Sequence, residues 1–562
     1  MAFQVSPGVN VSEIDATTVV PAVSTATGAI GGAFQWGPVD VLRQVSSEDE
    51  LVEVYGKPDA TTHLPFFTAA NFLSYSNSLF VSRADAATLN SAVALNVDPL
   101  SCASNVKMKN EDHYFSTFHS ASNADIAFAA RYPGSRGNSL KVAIIANANA
   151  SVFGSAPYHE FFDSAPGTSA WVAANHKSNA NDEMHIAVID EDGLFSGTPN
   201  TVLERFAYVS KATNAKDESG NSIYWKNVLY RSSRYVYGYG QNSETWGVAA
   251  DSSHEFDGEN LTISFIWGTD GTVTNGNVIS AYDQFTSTEN VDVSLVMTGG
   301  YGEAVAEKAI AIVDSRRDAV AFVSPTYANV TATDPVTAVN NYRNALPSSS
   351  YAVMDSNWKY MYDKYNDTYR WVPCNGDVAG LCARTDADRD PWFSPAGFNR
   401  GQLKNVIKLA YNPSQANRDE LYKKGVNPIV SFPGEGVVLY GDKTLLAKPS
   451  AFDRINVRRL FIVLEKAIAR AAKASLFEFN DEFTRATFVN LVEPFLRTVQ
   501  GRRGLYDFRV VCDETNNTPD VIDRNEFVGD IYIKPARSIN FIQLNFVAVR
   551  TGVAFDEIVG RF

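Results

Sequence analysis

Two strand-forming segments lie near opposite ends of this 562-residue sequence, and the first has no hairpin partner beside it. In MAFQVSPGVNVSEID, Phe3, Val5, Val9 and Val11 fall at odd positions while polar residues fill most even ones, the period-two pattern of a strand. The stretch that follows, ATTVVPAVSTATGAIGGAF, is rich in Thr and Gly and lacks the turn dipeptide that would fold a second strand back. In INFIQLNFVAV, Ile542, Leu544, Phe546 and Ala548 line one face while Phe541, Val547 and Val549 line the other, so both faces need cover. An unpaired strand exposes a row of amide and carbonyl groups. It is an aggregation liability if left bare and an assembly device if another molecule pairs with it.

A chain of this length exceeds what one hydrophobic core supports, so two to four domains are expected. With 45% hydrophobic and 12% aromatic residues it reads as well packed rather than disordered. A formal charge of -15 is the wrong sign for a surface that neutralises phosphates, which argues against direct nucleic-acid binding. The start shows no basic segment followed by an apolar run, and no window approaches about 18 apolar residues. Neither a secretory signal nor a membrane span is expected, and the reading is a soluble protein made in a cytoplasm. Cys102, Cys374, Cys382 and Cys512 are too few and too dispersed for a disulfide framework; Cys374 and Cys382 read as reduced thiols.

Texture changes along the chain. Residues from about 96 to 285 are rich in Asn, Ser, Ala, Tyr and Gly and hold six of the seven histidines, which reads as a β-rich insertion with long loops. Its connections are expected near Ala84 to Val97 and near Gln284 to Asp292, and its excision is expected to leave the remaining core intact. On either side the pattern tightens. DVSLVMTGG and DAVAFVSP read as short buried strands, and YGEAVAEKAIAIVDSRR between them places Val305, Ala309, Ile310 and Val313 on one helical face. That is a βαβ unit with parallel strands. Near the carboxy terminus, RINVRRLFIVLEKAIARAAKA spaces Val457, Leu460, Phe461, Leu464, Ile468 and Ala471 as one helical stripe, with Arg458, Lys466, Arg470 and Lys473 off it. A second helix follows from about Glu482 to Gly501, then the strands LYDFRVVC, FVGDIYIKP and INFIQLNFVAV.

The fold class expected is therefore multidomain, α/β and α+β. An α/β middle domain (21–95 and 286–445) carries the β-rich insertion (96–285, one or two subdomains). An α+β carboxy-terminal domain (446–562) with an antiparallel sheet follows. Between Ala451 and Val511 eleven Lys+Arg stand against seven Asp+Glu in an otherwise acidic chain, which suggests a basic patch. Lys466, Arg470, Lys473, Arg502 and Arg503 are its candidates, facing an acidic partner or the acidic strip DETNNTPDVIDRNE of an adjacent copy.

Sites for chemistry are scarce. The sequence has no GxxxxGK[ST], HExxH, GxSxG or CxxC, so no catalytic residue, cofactor or metal is assigned and no enzyme is expected. His113 and His119, six apart in HYFSTFH, would share one side of a strand and read as structural or surface residues. Asp386, Asp388 and Asp390 alternate as calcium ligands do, but the loop glycine and late glutamate are missing; a turn whose Arg384 and Arg389 pair these charges is the plainer reading. The aromatic run WKNVLYRSSRYVYGYGQNSETW could stack on sugars, although no paired acids accompany it.

Specific strings resemble a known family. SPGVNVSEID, GAIGGAFQWGPVD and VYGKPD resemble the amino-terminal signature of the sheath proteins of contractile phage tails. ARYPGSRGNSLKVAI is similar to the segment where that family enters its outer, inserted domain. RTDADRDPWFSPAGFNRGQL, LYKKGVNPIVSFPGEGVVLYGDKTL and RINVRRLFIVLEKAI are similar to its carboxy-terminal core. The strings cover residues 3–58, about 130–145 and about 350–560. Lys443 departs from the arginine of many relatives, and residues 146–285 match no family segment.

The resemblance implies a structural subunit that polymerises in stacked hexameric rings around a tail tube and contracts to drive the tube through a host envelope. It implies further copies, the tail tube protein, and baseplate and tail terminator proteins as partners, with no direct nucleic acid, no membrane insertion and no cofactor. The place implied is the contractile tail of a virion, after assembly in the host cytoplasm. It also implies that the terminal arms cross to neighbouring subunits and complete a shared carboxy-terminal sheet by strand exchange, Phe3, Val5, Val9 and Val11 at one end and Ile542, Leu544, Phe546 and Ala548 at the other. Alternatives are the sheath of a headless, tailocin-like particle, a non-contractile tube-forming tail protein and, in another class, a carbohydrate-active or glycan-binding protein.

Overall fold

The computed structural model describes residues 25–95, 106–120, 126–176, 180–240 and 260–540. The chain divides into two compact units, Val20–Ala474 and Met1–Val19 with Ser475–Phe562. Both sets of arm residues, Phe3 to Val11 and Ile542 to Ala548, lie outside the described residues.

The large unit is built on a seven-stranded sheet ordered Val426–Asn427, Ala352–Asp355, Val320–Val323, Leu295–Met297, Gly28–Gly32, Leu79–Arg83, Leu42–Val45. All neighbours are parallel except the last, which closes one edge antiparallel. The βαβ unit read from the sequence is present, with Leu295 opposite Val320 and the helix Glu303–Arg316 between the strands. A sheet buried on both faces needs apolar residues at odd and even positions alike. Ala29, Val296, Ala321 and Met354 face helices 275–283, 303–316 and 335–345, while Ile30, Met297, Phe322 and Val353 face helices 63–73, 375–388 and 455–472.

Helices 63–73 and 375–388 lie unusually close, and two glycines set that distance. A Cβ on Gly376 would sit 2.4 Å from the Thr68 carbonyl, and one on Gly380 would sit 2.3 Å from the Tyr75 ring. The four-residue spacing puts both glycines on one side of their helix.

The insertion forms a second seven-stranded sheet, ordered Thr201–Ser210, Glu183–Asp190, Leu140–Ile145, Asn260–Ile266, Val93–Leu95, Ile126–Ala130, Val236–Gly238, antiparallel throughout. Three expectations change here. The sheet ends at Ile266, and the helix Asn275–Asp283 packs Val278, Ala281 and Tyr282 on the parallel sheet, so the insertion stops before residue 275 rather than at 285. His113 lies in a helix, Glu111–Thr117, because Asn110 caps it by accepting from the His113 amide at 2.9 Å; His113 and His119 do not share a strand face. The insertion is also not cleanly removable. Trp36, from the parallel-sheet half of the chain, is buried in the insertion's core against Tyr132 and Phe195, with ring centroids 5.7 and 5.3 Å away. Arg83, at the end of strand 79–83, is fully enclosed and donates to the carbonyls of Phe34 (2.9 Å), Gly37 (2.9 Å), Gln35 (3.1 Å) and Pro133 (2.8 Å), joining both halves.

The helix Ile455–Ala472, expected to open the carboxy-terminal domain, lies in the compact unit Val20–Ala474, where Ile455 and Ile462 share a core with Leu381 and Ile429. Arg458, read as off the apolar stripe, is buried, as is Arg459. Arg459 pairs with Asp386, whose carboxylate also accepts from Thr25 Oγ1 at 2.6 Å. Asp386 and Asp388 therefore stand on the helix Asn375–Asp388 rather than in a turn, and Arg459 takes the pairing role expected of Arg384 and Arg389.

Candidate assembly surface

In open α/β sheets the carboxyl ends of the parallel strands are the usual place for a ligand. Here that end is occupied by the chain's own polar side chains. Ser324, just past strand 320–323, donates to Asp355 Oδ2 at 2.5 Å and accepts the Asn375 amide at 3.0 Å, and Asn375 Nδ2 donates to the Gly299 carbonyl at 2.7 Å. Lys359 and Asp377, both fully enclosed, pair at 2.9 Å, with Tyr75 donating to the same carboxylate at 3.2 Å. Burial pushes the Asp355 carboxyl up to about 7. Among the described residues no group of three or more His, Cys, Asp or Glu side chains is placed to hold a metal ion. None of the described helices is long and apolar enough to cross a membrane. Trp225 and Tyr237, from the aromatic run considered for sugar stacking, are enclosed in the insertion's interior instead.

The small unit is different in kind. Asp481 caps the helix Glu482–Gly501 by accepting from the Thr484 amide at 2.8 Å, and Phe488, Val492, Leu496 and Val499 form its buried stripe. That stripe covers a ribbon of two antiparallel strands, Leu505–Val511 and Asp530–Pro535, with a bulge between Leu505 and Asp507. Helix boundaries and strand pairing agree with the sequence reading; the third strand, INFIQLNFVAV, falls almost wholly outside the described residues.

Among the described residues the ribbon has two strands, fewer than a stable sheet requires. Around it stand apolar side chains in water. Leu476, Phe477, Phe479, Phe483, Tyr506, Tyr532 and Ile539 are between 62% and 104% exposed, whereas no large apolar side chain described in the rest of the chain exceeds 57%. Periodicity could not show this, because these residues are of the type that normally fills a core. Full burial of each would contribute about 1.5–3 kcal/mol.

The expected basic patch is divided. Lys466 is turned onto its own unit, 2.7 Å from Asp292 Oδ1 and 2.9 Å from Ser294 Oγ, and is almost enclosed. Arg470 reaches the same Asp292 at 3.4 Å, and Lys473 follows at the exposed helix end. Arg502 and Arg503 are exposed at the end of the other unit's helix. Five residues that look like one cluster in sequence thus lie in two compact units.

An interior closed by its own polar network, in a chain whose other unit shows a two-stranded ribbon among the described residues and solvent-facing aromatic rings, defines a subunit of an assembly. Family models described as the phage tail sheath protein central domain and the phage tail sheath C-terminal domain match residues 271–445 and 447–548. The tail sheath protein of Enterobacteria phage T4 is 34% identical over 670 residues, covering 99% of each chain. This chain belongs to the phage tail sheath family. Among solved structures, the sheath tail protein from Listeria innocua is similar in fold, with a TM-score of 0.55 at 14% identity over 92% of this chain and 96% of that one. The helical sheath of the anti-feeding prophage in its contracted state has a TM-score of 0.50 at 12% identity over 97% of this chain and 99% of that one.

Proposed function

We propose that this chain is the structural subunit of a contractile tail sheath, polymerising in stacked hexameric rings around a tail tube and contracting to drive that tube through the host envelope. The observation that carries this reading is the concentration of exposed apolar side chains in the unit whose ribbon has two strands among the described residues, in a chain whose larger unit is closed. The terminal arms complete that ribbon on a neighbouring copy, Phe3 to Val11 from one and Ile542 to Ala548 from another. Each added ladder hydrogen bond contributes only about 0.5–1.5 kcal/mol net, but two arms multiply this and bury apolar side chains as well. Arms so paired stay attached while bodies rotate, which a polymer that changes length requires. Tail tube, baseplate and terminator proteins are the remaining partners, Arg470, Lys473, Arg502 and Arg503 the cations offered to them, and the virion tail, assembled in the host cytoplasm, the location.

The test is negative-stain microscopy of the purified full chain and of two truncations, one lacking residues 1–15 and one ending before Ile539. The full chain is expected to form sheath-like tubes, and each truncation to stay folded and unpolymerised. Long tubes from either truncation would sink the strand-exchange reading.

A further inference from the structure

The large unit contains a cleft of about 570 Å³ lined by Arg343, Lys423, Lys424, Lys443 and Lys448, with Asp453 as its one carboxylate. Five cations face one acid in a chain whose formal charge is -15. The acid is already engaged, 3.6 Å from Arg454. Lys443 is spent on the Tyr422 carbonyl at 2.9 Å. Arg343 is buried, donates to the carbonyls of Leu346 and Leu445 and meets no carboxylate among the described residues, and its Nε has no partner there. The ammoniums of Lys423, Lys424 and Lys448 are exposed and make no hydrogen bond or ion pair among the described residues. Like charges gathered without counter-charges repel one another, so an anionic occupant is stabilised there by all of them together.

We infer that this cleft receives the acidic strip Asp513–Glu526 of a second copy. The inference rests on the sheath reading, which supplies that copy at high local concentration. The strip carries five carboxylates and one guanidinium, the reverse of the cleft's five cations and one carboxylate. It folds as a short turn of helix, Pro519–Asp523, that places Asp520 and Asp523 on one side, both exposed and without a partner among the described residues. A cleft of this size takes the side chains of one such turn, not a whole strand or domain. With Lys466 turned onto Asp292, the cations first expected to meet this strip are partly committed elsewhere, while Lys423, Lys424 and Lys448 of the cleft are not paired among the described residues.

The experiment reverses charge on each side and then on both, in the full chain. Lys423→Glu with Lys424→Glu, and separately Asp520→Lys with Asp523→Lys, are each expected to raise the critical concentration for tube formation by about tenfold or more, with melting temperature unchanged. The chain carrying all four substitutions is expected to return to within about twofold of the parent, since the pairs re-form with exchanged sign. Sedimentation and microscopy read the outcome. Independently, oxidation of tubes formed by a Lys424→Cys, Asp520→Cys chain is expected to give disulfide-linked multimers on a non-reducing gel, beyond any formed by the parent. An unchanged critical concentration, failure of the four-fold variant to recover, or a crosslink confined within single chains would each overturn the pairing. A parent chain that forms no tubes would overturn the sheath reading, whereas parent tubes with unaffected variants would overturn this inference alone.

Discussion

The two compact units settle the same physical problem in opposite ways. In the large one, charges withdrawn from water meet partners inside the chain: Lys359 with Asp377, Arg459 with Asp386, Arg83 with four carbonyls. In the small one, seven large apolar side chains remain in water and the ribbon has two strands among the described residues. A polymer subunit has reason to be built so. The body must keep its shape whether or not neighbours are present, while the joining unit must gain from them.

The largest effect is expected at the buried ion pair of the body. Lys359→Met leaves Asp377 enclosed without its cation and is expected to cost the body about 3–5 kcal/mol, seen as a lower urea midpoint. A variant as stable as the parent would show that the pair does not hold the body together.

Next comes Asp355. Its carboxyl sits at about 7 in the folded chain, above the ordinary value of 3.8, so the folded state holds a proton that the unfolded state has released. This contribution to stability is fully present below about pH 4 and is lost as pH rises through about 7. Asp355→Asn is expected to remove that slope, on the order of 4 kcal/mol across the window, measured as unfolding free energy against pH. Parallel curves for parent and variant would count against it.

A smaller effect is expected at the rim of the body. Arg470 and Asp292 are each about half exposed, so Arg470→Glu should cost less than about 1 kcal/mol and should lose even that at high salt.

The smallest change in stability sharpens the contrast furthest. Phe477→Ser with Phe479→Ser should leave unfolding within about 0.5 kcal/mol of the parent and yet suppress tube formation. A large loss of stability would mean these rings belong to a core within the chain.

Legibility in the sequence followed the range of the interaction. The helix Glu482–Gly501 and the helix Glu303–Arg316 with its flanking strands were readable because amphipathic spacing and capping are local. Arg459 was not, since its partner Asp386 is 73 residues away and Thr25 lies 361 residues from Asp386. The insertion's far boundary was misplaced because the helix Asn275–Asp283 has the polar composition of the loops before it and reveals its allegiance only through Tyr282, which donates to the Met297 carbonyl of the parallel sheet. The exposed rings of the small unit carried no signal of exposure, because composition does not say which side of a surface a phenylalanine occupies.

Arg83 has a mechanical meaning. Its guanidinium grips three carbonyls of the segment 34–37 and one at Pro133, where the chain runs into strand 140–145 of the second sheet. Because the grip is on carbonyls rather than on carboxylates, it depends on the direction of the backbone dipoles, not on a counter-charge that salt could screen. A load placed on the second sheet is therefore delivered to the end of strand 79–83, next to the antiparallel edge strand 42–45 of the first sheet, with little slack along the way. The two sheets take strain as a single stiff piece, and the give that a change of length demands has to be found in other joints.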